Sequence, residues 1–277
     1  MNSFSKALSS GTSLLWIDSL DYAETLLGGG KVPWLDLSEI IAWQRKVQSL
    51  LPSDVVCVPV ERVMHAWCAA HAPTVDTMRA KRRAGASLRA LLADTGLRRY
   101  LVELTGGLRS CFPAKSLALV LPSPARLLQL AHRIAFDEDL ADIDLDLVDS
   151  ASVYVADFLR EFAESGLEIA LLDEGAADAL PIGELVSVYT PIFNLAEHYR
   201  WVVGVKTTAG TGLDALAGPG FVVAPAQAGP TPTGLSVGAE FWAGGDAPPA
   251  PQGGFRFVTV PRDHNPESVL QRIAQLR

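Results

Sequence analysis

The chain has little with which to bind nucleic acid, cross a bilayer or staple itself together. Of its 277 residues only 23 are Lys or Arg, against 31 Asp or Glu, for a formal charge of −8. An acidic balance of that size argues against general nucleic-acid binding, which needs a basic surface. No apolar run reaches the roughly 18 residues of a membrane span. The N-terminal MNSFSKALSSGTSLLW lacks the charged-then-apolar order and cleavage site of a secretory signal, so a cytoplasmic location is expected. Three widely spaced cysteines, Cys57, Cys68 and Cys111, imply free thiols and no disulfide frame. A GxGxxG following a strand is missing and so is a Walker loop, which leaves no nucleotide cofactor to expect. Repeats at solenoid periods are missing too.

What is present is a core-forming chain. Apolar residues make up 49% and charged residues 19%, enough for a large interior. Seven short runs rich in β-branched residues stand out: 12–18, 54–60, 116–122, 167–174, 202–208, 220–225 and 255–261. Most lack in/out alternation, as strands of a parallel sheet buried on both faces do. Long helical stretches separate the first four, which is the rhythm of an α/β protein. The expectation is one α/β domain over residues 1–277, a TIM-like (β/α)8 barrel. Its C-terminal third is expected to be abbreviated or distorted, because Gly and Pro dominate 209–254, with 229–234 and 247–254 as loops.

The spacing predicts a helix over 36–50, capped by Asp36 or Ser38, and Leu26 to Gly30 as a loop. Residues 76–109 read as helical with a break near Gly96, and 145–165 as a helix stopped by Gly166. Residues 176–200 read as helix interrupted at Pro181 and Pro191, and 265–276 as the last helix. The one basic run, 79–83, falls inside helical pattern and reads as a solvated face or a docking patch.

In parallel α/β folds the chemistry sits at the carboxyl ends of strands. Asp173–Glu174 closes an apolar run with two carboxylates, able to bind an ammonium, hold a metal or move a proton; a helix N-cap, with Asp178 beginning the helix, is the plainer explanation. Asp18 ends the first run in the same way, with a loop cap as its alternative, and Lys206 ends the fifth, where a lysine either neutralises a carboxylate or oxyanion or lines the strand end with its stem and reaches water with its head. Arg126 follows the third run, placed to grip a carboxylate or to pair on the surface. His264, in Arg262–Asp263–His264, follows the last run and stands at the same edge. Glu61, His65 and Cys68 share one helical face at i, i+4, i+7, but three ligands on one helix rarely converge, and core packing accounts for them; no metal is expected. Gly234-Leu-Ser236-Val-Gly238 spells G-x-S-x-G, which needs a strand before the serine and a helix after it; Ser236 would be the nucleophile of a hydrolase.

The segment 145–178, a long helix and then Glu168-Ile-Ala-Leu-Leu-Asp173-Glu174, resembles the helix–strand unit of the cobalamin-independent methionine synthase and uroporphyrinogen decarboxylase superfamily. There the unit reads roughly A-x-G-x-x-x-I-Q-x-D-E-P and its acids face the substrate. The preceding SLALVLPSPARLLQLA (116–131) is similar to the strand and loop before it. The resemblance covers 60–80 residues and implies a (β/α)8 barrel, with Asp173 and Glu174 as catalytic acids and Ser123 to Arg126 as a weaker correspondence. Gly175 stands where the family has proline, and no His-x-Cys with a later cysteine offers a thiol-activating zinc site. The expectation is therefore a metal-independent enzyme, without cofactor, acting on a carboxylated small molecule by decarboxylation, lyase chemistry or one-carbon transfer. Asp18, Arg126, Lys206 and His264 would bind the substrate. The alternative is a non-catalytic barrel subunit that binds a partner enzyme; self-association as a homodimer also fits.

Overall fold

The computed structural model describes residues 2–11, 13–29, 31–175, 180–213 and 216–277. The chain enters through α1 (Ser3–Ser9), then β1 (Leu15–Asp18), α2 (Leu20–Gly28) and α3 (Leu37–Leu50). Next come β2 (Val55–Pro59), α4 (Val60–Ala70), α5 (Ala72–Arg79), α6 (Ala86–Leu92) and α7 (Thr95–Cys111). They lead to β3 (Ser116–Pro122), α8 (Pro124–Phe136), α9 (Leu145–Arg160) and β4 (Ile169–Asp173). Then follow α10 (Ile182–Ser187), α11 (Thr190–Tyr199), β5 (Val202–Lys206), β6 (Phe221–Ala224), β7 (Thr233–Ser236), α12 (Ala239–Trp242), β8 (Phe255–Thr259) and α13 (Pro266–Ala274).

All eight strands run parallel in the order β1-β8-β7-β6-β5-β4-β3-β2. That is a TIM-like barrel laddered everywhere except between β1 and β2. At that seam the bridges come from side chains and one backbone bond. Asp54 accepts from the Leu15 N–H at 2.9 Å, the Asp54 N–H donates to the Leu15 carbonyl at 3.0 Å, and Ser53 Oγ accepts from the Ile17 N–H at 2.9 Å. Helix α3, capped by the Asp36 carboxylate as its sequence predicts, packs Trp43 and Val47 over the core beside this seam.

The inside of the barrel is filled by Trp16, Ile169, Leu171, Phe221, Phe255 and Phe257, with Phe4 of α1 inserted from below. Two inward glycines make the rings fit. A Cβ on Gly204 would lie 2.1 Å from the Phe221 ring, and one on Gly234 would lie 2.5 Å from that of Phe255. Helix α1 plugs the amino end of the barrel: Asn2 donates to the Glu168 carbonyl at 3.0 Å, and Ser3 bonds the Glu168 carboxylate. Outside, the apolar faces of α3 to α11 bury against the strands in one continuous core, while α12 and α13 cover β8 and β1.

The final third is abbreviated, as its Gly/Pro content implies. Among the described residues no helix joins β5 to β6 or β6 to β7, and α12 is a single turn. Several local expectations are corrected. The loop predicted from Leu26 is helix as far as Gly28, with Gly29 as its left-handed cap; Gly30 lies outside the described residues. Residues 76–109 form three helices, with breaks at 80–85 and 93–94. Gly96 sits in the first turn of α7, where a Cβ would lie 2.7 Å from Trp67, so it serves packing and not a break. The basic run leaves α5 at Arg79: Arg82 pairs with Glu138, just past the end of α8, and lies over the Phe136 ring, so these residues do not form a helix face. Thr233 and Gly234, expected in a loop, begin β7, a strand beyond the seven runs predicted. The helix start expected at Asp178 lies outside the described residues. No helix among the described residues is long and apolar enough to cross a membrane.

Candidate functional site

Register brings three distant positions to one rim. Asp18 ends β1, Asp173 ends β4 and Lys206 ends β5, with Asp173 and Lys206 aligned across adjacent strands. Side chains alternate along a strand, so Asp173 shares the inner face with Ile169 and Leu171. The ammonium of Lys206 lies 3.2 Å from Asp173 Oδ2 and 3.6 Å from Asp18 Oδ2. Beneath it, the Phe257 ring centroid is 5.4 Å away, which adds a cation–π floor. The cluster lines a hollow of about 320 Å³ with Pro59, Glu61 and Pro122.

Arg126, in the first turn of α8, closes one side. Its Nη1 donates to the Asp173 carbonyl at 3.1 Å and lies 3.5 Å from Asp173 Oδ1, while Nη2 lies 3.6 Å from Glu61 Oε2. The turn that places it is built by Ser123, whose hydroxyl caps α8 ahead of Pro124. Gly175 adopts φ +62°, and a Cβ there would press on the guanidinium at 3.2 Å. Glycine at the position where the resembled family carries proline thus leaves room for Arg126.

Electrostatics divides these groups into a held charge and a poised one. Burial disfavours the Lys206 ammonium, but Asp18 and Asp173 outweigh burial and hold its pKa above that of an ordinary lysine. Asp18 is also shifted upward, but here burial is the cause: it raises the pKa, Lys206 opposes, and the net result stays above the usual carboxylate value. A carboxyl with raised affinity for its proton beside a fixed ammonium is equipped to give and take protons.

Glu174 is turned away from the mouth. It is 2% exposed, and its Oε1 accepts from the Tyr189 hydroxyl at 2.7 Å. Burial raises its pKa, against the pull of the Tyr189 and Ser123 hydroxyls. Its N–H donates to the Lys206 carbonyl at 2.8 Å, so the residue ties β4 to β5 directly behind the acid–lysine cluster. Of the predicted set, the structure therefore brings Asp18, Arg126, Asp173 and Lys206 together and places Glu174 one layer out. His264 follows β8 and sets its ring edge-on to Trp242, 5.4 Å between centroids; no hydrogen bond joins it to the cluster among the described residues.

The helix carrying Glu61, His65 and Cys68 splits them. Glu61 faces Arg126, whereas His65 and Cys68 line a separate surface hollow with Asp76 and Arg79. Among the described residues no group of three or more His, Cys, Asp or Glu is arranged to hold a metal ion. Ser236 does end a strand and precede the one-turn α12, yet its side chain makes no hydrogen bond to a histidine among the described residues. Sequence reasoning missed the part of Glu61 at the rim. Its place just past Pro59, the last residue of β2, was the available signal, the same strand-end rule that marks Asp18. It also missed Tyr189, which no local pattern links to Glu174. The chain matches no protein-family model and no curated protein.

Proposed function

We propose that the chain is an enzyme that binds a small carboxylated molecule at the barrel mouth and transfers a proton there. The chemistry is decarboxylation, a lyase step or one-carbon transfer, in keeping with the superfamily its β4 unit resembles. The observation that carries this reading is the ammonium of Lys206 held 3.2 and 3.6 Å from two carboxylates contributed by β4 and β1. In this reading the substrate carboxylate takes up Lys206 and the exposed edge of Arg126, loosening their hold on Asp173. Asp18, whose affinity for its proton burial raises, then protonates or deprotonates the reacting carbon. The same arrangement supports metal-independent chemistry, since an ammonium already occupies the position between the carboxylates that a cation would take. Glu174 acts through the backbone as a positioning residue.

The test is turnover of a panel of carboxylated small molecules, followed by carbon dioxide release and by NMR of products. Asp18→Asn and Lys206→Met are expected to lower kcat/KM by 100-fold or more, and Arg126→Lys to act mainly on KM. Glu174→Gln should change turnover by less than about tenfold. Unchanged turnover in both Asp18→Asn and Asp173→Asn overturns the assignment.

A further inference from the structure

The barrel is built open at one place, and the opening leads to the mouth. Between β1 and β2 no strand ladder forms, and α3 supplies substitutes for it. Gln48 donates to the Ser53 carbonyl at 2.7 Å and accepts from the Ser53 N–H at 3.2 Å. Gln44 donates to the Cys57 carbonyl at 3.3 Å. These amides satisfy backbone groups that a neighbouring strand would otherwise take, so the gap carries little of the desolvation penalty of a bare strand edge. What remains is a slot of about 70 Å³ whose walls include Trp16, Ile17, Val47, Val55, Leu171 and Phe257. Asp18, Leu20, Pro59, Val120 and Lys206 line both this slot and the mouth hollow, so the two compartments share a wall. An apolar recess that meets a charged cluster at one end is shaped for a molecule with one polar and one apolar end.

We infer that the seam between β1 and β2 is the second half of the binding site and holds the straight hydrocarbon arm of an amphipathic carboxylate whose head sits at Lys206. This rests on the proposed reading of the mouth and narrows its substrate class. The slot is small, which selects an unbranched chain over a bulky group. Cys57 lines the same slot, with its Sγ 3.2 Å from Trp16 Nε1. Burial and the nearby Asp18 push its thiol up to about 12, so it contributes to the slot as a soft wall and not as a nucleophile.

The test titrates straight-chain saturated carboxylates, from butyrate to decanoate, into the full chain. Binding is read by tryptophan fluorescence, since Trp16 and Trp43 line the slot, and by calorimetry. Affinity should rise about fourfold with each added methylene until the slot is full, and then level off. Branched acids of equal carbon number should bind more weakly. Val47→Phe should flatten the length dependence, and Lys206→Met should weaken every acid alike. A flat series in the unmodified protein, with binding still lost in Lys206→Met, overturns the slot and leaves the mouth reading standing. A rising series indifferent to Lys206→Met overturns the mouth reading instead. No binding of any acid overturns both. The series on the unmodified protein holds even if Val47→Phe fails to fold.

Discussion

At the scale of single residues, the behaviour of the rim follows from which charge has partners. Lys206 has a raised folded pKa, so its ion pairs contribute stability that is complete below the ordinary lysine value of 10.5 and is lost as pH climbs through the folded value above it. Alkaline unfolding should therefore show a limb that Lys206→Met lacks, and at neutral pH that variant should unfold at lower denaturant by roughly 1–3 kcal/mol, as Asp18 and Asp173 are left facing each other. Glu174 runs by the same sign. Its raised pKa means that its contribution is complete below the usual glutamate value and falls as pH rises through the folded one. Glu174→Gln, which keeps an acceptor for Tyr189, is expected to match the unmodified protein at acid pH and to gain on it toward neutral pH. Glu174→Ala should cost about 2–4 kcal/mol at acid pH and less as pH rises, because the Tyr189 hydroxyl loses its partner and a cavity opens. Denaturant titrations across pH 3 to 11 check all three. Asp18, Asp173 and Lys206 were legible because each ends an apolar run. Glu174 was legible as a residue but not as to its facing, since adjacent strand positions point to opposite sides and only the register of β4 says which of the pair looks inward.

At the scale of elements, the interior of the barrel is a fit of large rings against absent side chains. Gly204→Ala would drive a methyl into Phe221, and the expected loss is about 1–3 kcal/mol or more, recovered in part by adding Phe221→Leu; thermal unfolding of the single and double variants measures the coupling. Helix α1 is equally committed, for Phe4 closes the aromatic cluster from below, with Phe221 and Phe255 rings at 5.1 and 5.6 Å. Phe4→Ala should cost roughly 3–5 kcal/mol by the same assay. Helix α3 was readable from its Asp36 cap and apolar stripe and α9 from its stripe alone; the caps at Asp94, Ser123 and Asp144, each accepting from the first turn of its helix, were not singled out. Strand β7 was not. Four residues reading Thr-Gly-Leu-Ser, preceded by prolines, carry no strand preference of their own and are held extended by the ladders to β6 and β8.

At the scale of the whole molecule, the seam between β1 and β2 is where the barrel is least tied. Seven parallel pairings close the rest, whereas here Ser53 and Asp54 bridge to β1 and two glutamines of α3 take up backbone groups on the β2 side. Amide hydrogen exchange should report opening of β1 and β2 before β3, β4 and β5, and Ser53→Ala, which removes the acceptor for the Ile17 N–H, should speed it further. If β4 exchanges first, this account of the seam fails.

The amino-acid order by itself determined the class of the fold and the direction in which its chemistry faces. Double-sided apolar runs can be buried only in a parallel sheet wrapped by helices, and polar residues that end such runs have nowhere to go but the rim. Tertiary structure alone decided that Asp18, Asp173 and Lys206 meet, that Glu174 looks outward to Tyr189, and that the barrel is parted beside α3. These depend on register and closure between residues 15 to 188 apart in the chain (from Glu174 to Tyr189 is 15, from Asp173 to Lys206 is 33, from Asp18 to Lys206 is 188). Local propensity has no reach over such spans; packing and ladder alignment do.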